Sequence, residues 1–298
     1  MEPSRNNKKN VIIQFFIGFI RIKGIINWLA ISFLGFLLGI TSLDVTRYYA
    51  SFGFFIISTF FILAFTFAIN NYYDIGTDKE NPRRATVNAL ASGAISKHTG
   101  MIFIRLFIII PMVLSLFLTW AVFLFCASLL FFMWIYSAPP PRLKGRPGAD
   151  IVWHFIALFA LVLWGSSLAG TISQLTLLVA ISLGLYGCFA QIDNHIHDYP
   201  FDKASGSTTF AVWIGIPNAT KALVVTFILC FVSLLPLVIL YPLPSYLTVL
   251  LVGGGILGSI GLITIKKTKG VASLFQIITV VGWSIYVNCL LYHLNSLL

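Results

Sequence analysis

Long uncharged apolar stretches, separated by short polar segments, make up most of this chain. About 20 consecutive apolar residues span the hydrocarbon core of a bilayer. Two stretches, 101–136 and 151–192, are too long for one crossing at about 1.5 Å per residue, and we divide them near Thr119-Trp120 and near 170–174. The pattern predicts an all-α, polytopic membrane protein with about nine transmembrane helices bundled around a central cavity. The other predicted spans are residues 25–43, 49–71, 212–240, 246–265 and 271–298.

The start of the chain has a different pattern. Residues 1–10 are polar and basic, and residues 11–20 are apolar but too few to cross a membrane. Arg21 and Lys23 follow at once, with no small-residue cleavage site, which disfavours a signal peptide. We expect residues 1–24 to form a cytoplasmic tail and an interfacial helix on the membrane surface. The whole chain, 1–298, is predicted to be a single transmembrane domain.

The distribution of charge tests this topology independently. Only 9% of the residues are charged, against about 25% in soluble domains. With the N-terminus in the cytoplasm, only Arg47 of the 19 basic residues falls outside, which is the positive-inside bias of a multi-pass protein in the cell membrane. The net charge of +10 then reflects topology and contact with anionic membrane lipids, and we expect no nucleic-acid partner. The cysteines lie in predicted spans and are interpreted as small buried hydrophobes.

Two polar loops repeat one pattern, N-x-x-x-D-x-x-x-D-K, at the ends of the second and sixth predicted spans. On a helix, a spacing of four residues stacks side chains along one face. Pro200 interrupts the second copy, so we expect the helix to bend just past Asp198 and not to continue regularly through Asp202. The amide and carboxylate residues of the pattern are Asn70, Asp74 and Asp78 in the first copy, and Asn194, Asp198 and Asp202 in the second.

Carboxylate and amide oxygens in this arrangement suit a hard divalent cation, and Mg²⁺ is the usual one where phosphate groups complete the coordination. Ionisable side chains at membrane depth are costly and are usually functional. Two alternatives stay open. The aspartates can be solvated loop charges that only end two helices. The chain can also be a secondary transporter, because that class has duplicated halves and intramembrane carboxylates too.

The two loops resemble those of the UbiA superfamily of intramembrane aromatic prenyltransferases. The typical family motif is N-D-x-x-D-x-x-x-D, and here Asn71 and His195 take the second position. Residues 136–144 (YSAPPPRLK) are similar to the family's Y-S-x-x-P-x-R-L-K segment, and 206–215 (GSTTFAVWIG) are similar to its G-x-x-T-x-A-x-x-x-G segment. Residues 88–96 (NALASGAIS) resemble its R-P-L-x-x-G-x-I-S turn, with Asn-Ala where Arg-Pro is usual.

The resemblance implies a Mg²⁺-dependent prenyltransferase that moves an isoprenyl group from an isoprenyl diphosphate to a hydrophobic acceptor and releases diphosphate. It further implies two Mg²⁺ ions bridging the donor diphosphate. The charge distribution places this active site on the cytoplasmic side. The acceptor is left open among aromatic, carotenoid and glycerol-ether classes. The implied metal ligands are Asn70, Asp74, Asp78, Asn194, Asp198 and Asp202.

Basic side chains near the motifs are candidates for binding the diphosphate, because they would neutralise charge on the leaving group. The alternative for each is positive-inside anchoring. Tyr136 and Asp198 are the candidate catalytic residues, although Tyr136 can equally be an interfacial anchor. His195 or His197 is a candidate base toward the acceptor. The candidate diphosphate-binding residues are Arg142, Lys144, Lys203, Arg84 and Arg21.

Overall fold

The computed structural model describes residues 11–80, 82–242, 253 and 271–298. Within these residues the chain is helical and has no strand, and eight helices are long and apolar enough to cross a membrane. Eight of the nine predicted spans are thereby confirmed by length and composition. The remaining predicted span, 246–265, lies outside the described residues.

The helices are separated by short connections, and two further segments, π-helical Phe15–Phe19 and 3₁₀-helical Val45–Tyr48, accompany them. The α-helices of the described residues are α1 (Ile22–Gly39), α2 (Tyr49–Tyr73), α3 (Ile75–Glu80), α4 (Pro82–Val87), α5 (Lys97–Leu116), α6 (Trp120–Ser137), α7 (Ala149–Ala169), α8 (Gln174–Ala204), α9 (Phe210–Ile214), α10 (Ile216–Leu240) and α11 (Val271–Asn295).

The two longest apolar stretches each fold into two helices, as predicted, because a polar N-cap starts the second helix of each. The Thr119 side chain accepts a hydrogen bond from the Val122 backbone N–H at the start of α6. Ser173 caps α8 in the same way by accepting from the Thr176 backbone N–H. Capping side chains satisfy backbone donors that a helix start leaves without intrahelical partners. A single hydroxyl therefore marks each break.

The first of two compact units comprises the described residues up to Ser32 together with Tyr48–Lys144. Its centre is α2, which packs against α5 and α6. The segment predicted to be interfacial is helical and docks on this unit, with the Phe15 and Phe103 rings 4.8 Å apart and Phe19 fully buried. Aromatic pairs at this separation add to the free energy of apolar burial. The position of this segment on a membrane surface remains a prediction.

The second unit comprises Phe33–Arg47 and the described residues from Gly145 onward. Its centre is α8, which packs against α7, α9, α10 and α11. Two glycines let α8 approach α7 closely: a Cβ at Gly184 would lie 3.0 Å from the Phe155 carbonyl oxygen, and one at Gly187 would lie 2.8 Å from that of His154. Small residues at helix contacts allow such backbone approach. This contact fixes α8, which carries the second motif.

The expectation that helix would not continue through the second motif is wrong. Helix α8 includes Pro200 and both aspartates and ends at Ala204. A proline removes only one backbone hydrogen bond, the one to the carbonyl four residues earlier. Because Pro200 is four residues from the helix end, most of the helix is unaffected. The end is secured by the Ser207 backbone N–H, which donates to the Asp202 carbonyl at 2.9 Å.

Candidate active site

Asp74 lies where α2 ends, and it is almost completely buried, at 3% exposure. Both carboxylate oxygens bind cations from the segment after α6. The Arg142 guanidinium donates to Oδ1 at 3.1 Å, and the Lys144 ammonium contacts Oδ2. A buried carboxylate is strongly destabilising unless its charge is paired. These two cations therefore compensate the buried carboxylate of Asp74 and fix its side chain in place.

The turn after α6 presents those two cations. The Leu143 backbone N–H donates to the Ile135 carbonyl at 3.1 Å, and that of Lys144 donates to the Tyr136 carbonyl at 2.9 Å. The chain therefore folds back along the end of α6. Arg142 has a φ of +46°, a left-handed conformation that is uncommon for a residue other than glycine. A strained backbone conformation persists where surrounding contacts hold it in place. Here the hydrogen bonds of the turn and the ion pair with Asp74 hold Arg142.

Asn70 connects these ion pairs to α6. In the orientation that satisfies its hydrogen bonds, the Asn70 amide nitrogen donates to Asp74 Oδ2 at 3.2 Å. Its oxygen accepts from Ser137 Oγ and from Lys144 Nζ, also at 3.2 Å each. The Lys144 ammonium is thus held between Asn70 and Asp74, the first two residues of the motif. Their four-residue spacing brings both side chains to the same face of the helix end, as predicted.

Asp78 completes the first motif from α3, and it is also 3% exposed. The Asn88 amide nitrogen donates to Asp78 Oδ2 and to the Asn71 backbone carbonyl, both at 2.9 Å. The Asn88 amide oxygen accepts from the Leu90 backbone N–H at 3.0 Å. Asn88 is therefore a residue that fixes the motif, whereas in the sequence it stands out only as a departure from the family pattern.

Asn71, the other departure from the family pattern, holds the chain before α1 against the motif. Its amide nitrogen donates to the backbone carbonyls of Gly18 (2.8 Å) and Phe19 (2.9 Å), and its oxygen accepts from the Arg21 guanidinium at 2.5 Å. Arg21 has a left-handed φ of +52°. Only an amide provides two donors and an acceptor in one side chain of this size. Asn71 therefore places Arg21 in the site.

Arg21 interacts electrostatically with four other predicted or neighbouring site residues. Burial lowers the pKa of the Arg21 guanidinium, and the positive charge of Arg84 lowers it further. The negative charges of Asp74 and Asp78 raise this pKa, and Tyr136 also raises it. The structure thus gathers the first motif, Tyr136 and four of the five predicted diphosphate-binding cations within one unit. The catalytic and ligand-binding roles of these residues remain predictions.

The oxygen donors of the first motif suit a hard cation. Asp74, Asp78 and Asn70 supply carboxylate and amide oxygens, which Mg²⁺ prefers, and the Lys144 ammonium already lies between two of them. Among the residues described, no three His, Cys, Asp or Glu side chains are grouped so that they could hold a metal ion by themselves. Phosphate oxygens of a ligand or water molecules complete the coordination of Mg²⁺ in sites with few protein ligands.

The second motif occupies the last turns of α8 in the second unit. Asn194 is exposed, and Asp198 and Asp202 are half-buried. The Lys203 ammonium lies 5.6 Å from the centroid of the Tyr199 ring, a cation–π contact within its own helix. The structure brings Lys203 to the helix end beside Asp202. The metal and diphosphate roles of this motif also remain predictions.

A buried contact between an aspartate and a histidine, which the sequence did not indicate, lies at His195. Asp150, in the first turn of α7, is 1% exposed, and its Oδ2 lies 2.9 Å from the Nε2 of His195. The Gln191 amide nitrogen lies 2.9 Å from the same ring nitrogen. His197 instead contacts Asp193, one turn earlier on α8. The two histidines thus have different partners, because residues two apart on a helix do not share a face.

The helices and the first-motif site define a membrane-spanning protein with an acidic and basic centre suited to a metal-bound anion. The sequence model of the UbiA prenyltransferase family matches residues 28–285, and the chain belongs to that family. A lycopene elongase/hydratase of Corynebacterium glutamicum is 28% identical over 197 residues. That match covers 63% of this chain and 66% of the relative, just under two thirds of its length.

Solved structures show the same fold. A UbiA homolog from Archaeoglobus fulgidus bound to GPP and Mg²⁺ aligns with a TM-score of 0.69 at 20% identity, covering 95% of this chain and 99% of that one. A digeranylgeranylglyceryl phosphate synthase aligns with a TM-score of 0.68 at 19% identity, covering 94% and 99%. An apo UbiA homolog from Aeropyrum pernix K1 gives 0.67 at 19% identity, covering 90% and 98%. Family membership favours the prenyltransferase interpretation over the transporter.

Proposed function

We propose that this protein transfers an isoprenyl group from an isoprenyl diphosphate to an apolar acceptor dissolved in the membrane. One observation supports the proposal most strongly: three cationic side chains interact with the two buried carboxylates of the first motif. An excess of positive charge in a buried site favours a polyanion such as diphosphate. The three cations are Arg142 and Lys144, which pair with Asp74, and Arg21. Arg84 is exposed and interacts electrostatically with Arg21.

We assign the roles of the ligands accordingly. Bound Mg²⁺ would supply electrostatic neutralisation of the departing diphosphate. Asn70, Asp74 and Asp78 would bind it at the first motif. Asn194, Asp198 and Asp202 are proposed Mg²⁺ ligands at the second motif, with Lys203 as a further contact to phosphate. The number of ions, proposed to be two, follows from the duplication of the motif.

The chemistry that these side chains favour is ionisation of the allylic C–O bond. Arg142 and Lys144 donate to the leaving diphosphate, where negative charge develops. The phenol ring of Tyr136 stabilises the allylic cation by a cation–π interaction. The surrounding apolar helices exclude water that would quench the cation. The acceptor attacks the cation and then loses a proton, and Asp198 or His195 is the proposed proton acceptor.

We propose a carotenoid as the acceptor class. Its support is the relative at 28% identity, which is a lycopene elongase/hydratase. An aromatic ring or a glycerol ether is the competing acceptor. We also propose that the site faces the cytoplasm of the cell membrane, because the basic residues concentrate on that predicted side.

The test is transfer by purified protein in detergent or nanodiscs, with dimethylallyl, geranyl and geranylgeranyl diphosphate each offered with lycopene, an aromatic acid or a glycerol ether. Mass spectrometry identifies the product, and diphosphate release is measured with and without Mg²⁺. We expect release that needs Mg²⁺ and is abolished in Asp74→Ala and Asp198→Ala. Release from no donor by folded protein would refute the proposal, and an aromatic or ether product would refute the carotenoid assignment.

A further inference from the structure

Lys144 occupies an unusual position for a residue expected to bind phosphate. Its ammonium contacts Asp74 Oδ2 and lies 3.2 Å from the Asn70 amide oxygen. Both of these oxygens belong to the residues assigned to the metal. The ammonium therefore lies where a cation bound by the first motif would lie, and the two cannot share those oxygens.

The two partners of this ion pair differ in freedom. Asp74 is 4% exposed in its side chain and is fixed at the end of α2, whereas the Lys144 side chain is 29% exposed. Lysine carries its charge as a compact ammonium on a flexible four-carbon stem. Rotation of the Lys144 stem can therefore move the ammonium to another partner while Asp74 stays in place.

We propose that Lys144 is an exchangeable counter-cation of the first motif, which holds Asn70 and Asp74 when no ligand is bound and moves to the diphosphate when Mg²⁺ takes its place. This inference rests on the proposed function. This exchange makes the binding of metal and of diphosphate cooperative. The metal releases Lys144 for the diphosphate, and the diphosphate pairs with the released ammonium. Metal alone must displace Lys144 and leave its charge unpaired, and diphosphate provides the new partner.

The inference is tested by metal binding, without turnover. Mn²⁺ serves as a paramagnetic probe for the Mg²⁺ site, and its affinity for the full-length protein is measured with and without inorganic diphosphate. For the wild type we expect weak binding of Mn²⁺ alone and an affinity about tenfold higher with diphosphate, within the usual range of coupling between sites. For Lys144→Met we expect Mn²⁺ alone to bind several-fold tighter than to the wild type, and diphosphate to raise that affinity by a smaller factor than in the wild type.

Three further variants make the result specific. Lys144→Arg keeps a cation beside Asp74 and is expected to retain weak binding of the metal alone. Lys144→Gln repeats the Met substitution with a polar side chain, in case Met disturbs folding. Lys97→Met removes an exposed positive charge from the first turn of α5 in the same unit and is expected to leave Mn²⁺ affinity unchanged.

Metal affinity that is unchanged or weaker in both folded Lys144→Met and folded Lys144→Gln would overturn the inference, as would equal tightening in Lys97→Met. The transfer assay separates this outcome from failure of the proposed function. If the wild-type protein transfers prenyl groups but diphosphate does not raise its Mn²⁺ affinity, the proposed function stands and the inference is wrong. If diphosphate raises the Mn²⁺ affinity but the protein transfers from no donor, the inference stands and the proposed function is wrong.

Discussion

The Asn88 side-chain amide donates a hydrogen bond to the buried carboxylate of Asp78 at 2.9 Å. The same nitrogen donates to the backbone carbonyl of Asn71, which lies in the last turn of α2. Asn88, ten residues after Asp78, therefore connects this third residue of the motif to α2, the helix that carries the first residue, Asn70. The turn after α4 thus contributes to the geometry of the site.

Replacing Asn88 by Ala should leave a buried Asp78 oxygen and the Asn71 carbonyl each without this donor. We expect a loss of stability of about 1–3 kcal/mol, together with a higher Mg²⁺ concentration for half-maximal activity. Thermal unfolding and a Mg²⁺ titration of diphosphate release measure the two effects. Ser92→Ala, in the same turn, is the control and should change neither. An Asn88→Ala protein with wild-type Mg²⁺ dependence would show that Asn88 does not position Asp78.

Replacing Asn71 by Asp tests the need for a neutral amide. The carboxylate can still accept from Arg21, but it cannot donate to the carbonyls of Gly18 and Phe19 and it repels them. It also neutralises Arg21, so we expect a rise in KM for the isoprenyl diphosphate of roughly tenfold or more, as for a lost charge-assisted contact. Asn71→Ala should destabilise the protein, but it adds no negative charge beside Arg21, so the KM should be less affected. A KM that is higher in Asn71→Ala than in Asn71→Asp contradicts this assignment.

The contact between Asp150 and His195 should contribute more to stability than the contact between Asp193 and His197. Asp150 and His195 are both buried, whereas the His197 side chain is 61% exposed. Removal of the hydrogen-bond partner of a buried group lowers stability by about 1–3 kcal/mol, whereas removal of an exposed ion pair lowers it by about 0–1 kcal/mol. We expect Asp150→Ala to lower the melting temperature clearly and His197→Ala to change it little. Equal shifts in thermal unfolding would contradict this ranking.

The orientation of the first unit is accessible to cysteine labelling. The four native cysteines are buried or half-buried, so background reaction with a membrane-impermeant maleimide should be low. Tyr49 is exposed at the start of α2, and Lys79 is exposed beyond its other end. In intact cells we expect Tyr49→Cys to react and Lys79→Cys to react only after the membrane is opened. The reverse pattern would place the first motif outside the cytoplasm.

Much of the fold was predictable because the bilayer acts as a uniform solvent. Apolar length alone located eight spans within the described part of the chain, and the hydroxyls of Thr119 and Ser173 mark where long stretches divide. The prediction that the helix would not continue past Pro200 was wrong. Helix propensity penalises proline in a helix interior, but it takes no account of the hydrogen bonds that the neighbouring residues make. The backbone N–H of Ser207, which donates to the Asp202 carbonyl, holds the end of this helix.

The candidate site was predictable in part. The repeated spacing identified Asn70, Asp74 and Asp78, and the family resemblance added Arg142 and Lys144. Neither indicated that Lys144 pairs with Asp74, since the two lie 70 positions apart. Asp150 gave no signal either, because a single acid before an apolar stretch is typical of any helix start.

The sequence by itself determined which solvent this protein occupies, how often the described chain can cross it, and which oxygen-rich motifs it carries, because these depend on composition and local spacing. Only the tertiary structure decided which charges meet. Asn71 gathers the segment before α1, Asn88 reaches Asp78, and the turn after α6 brings Lys144 to Asp74. Contacts of this kind join residues distant in sequence, and their existence depends on helix packing that local propensity does not specify.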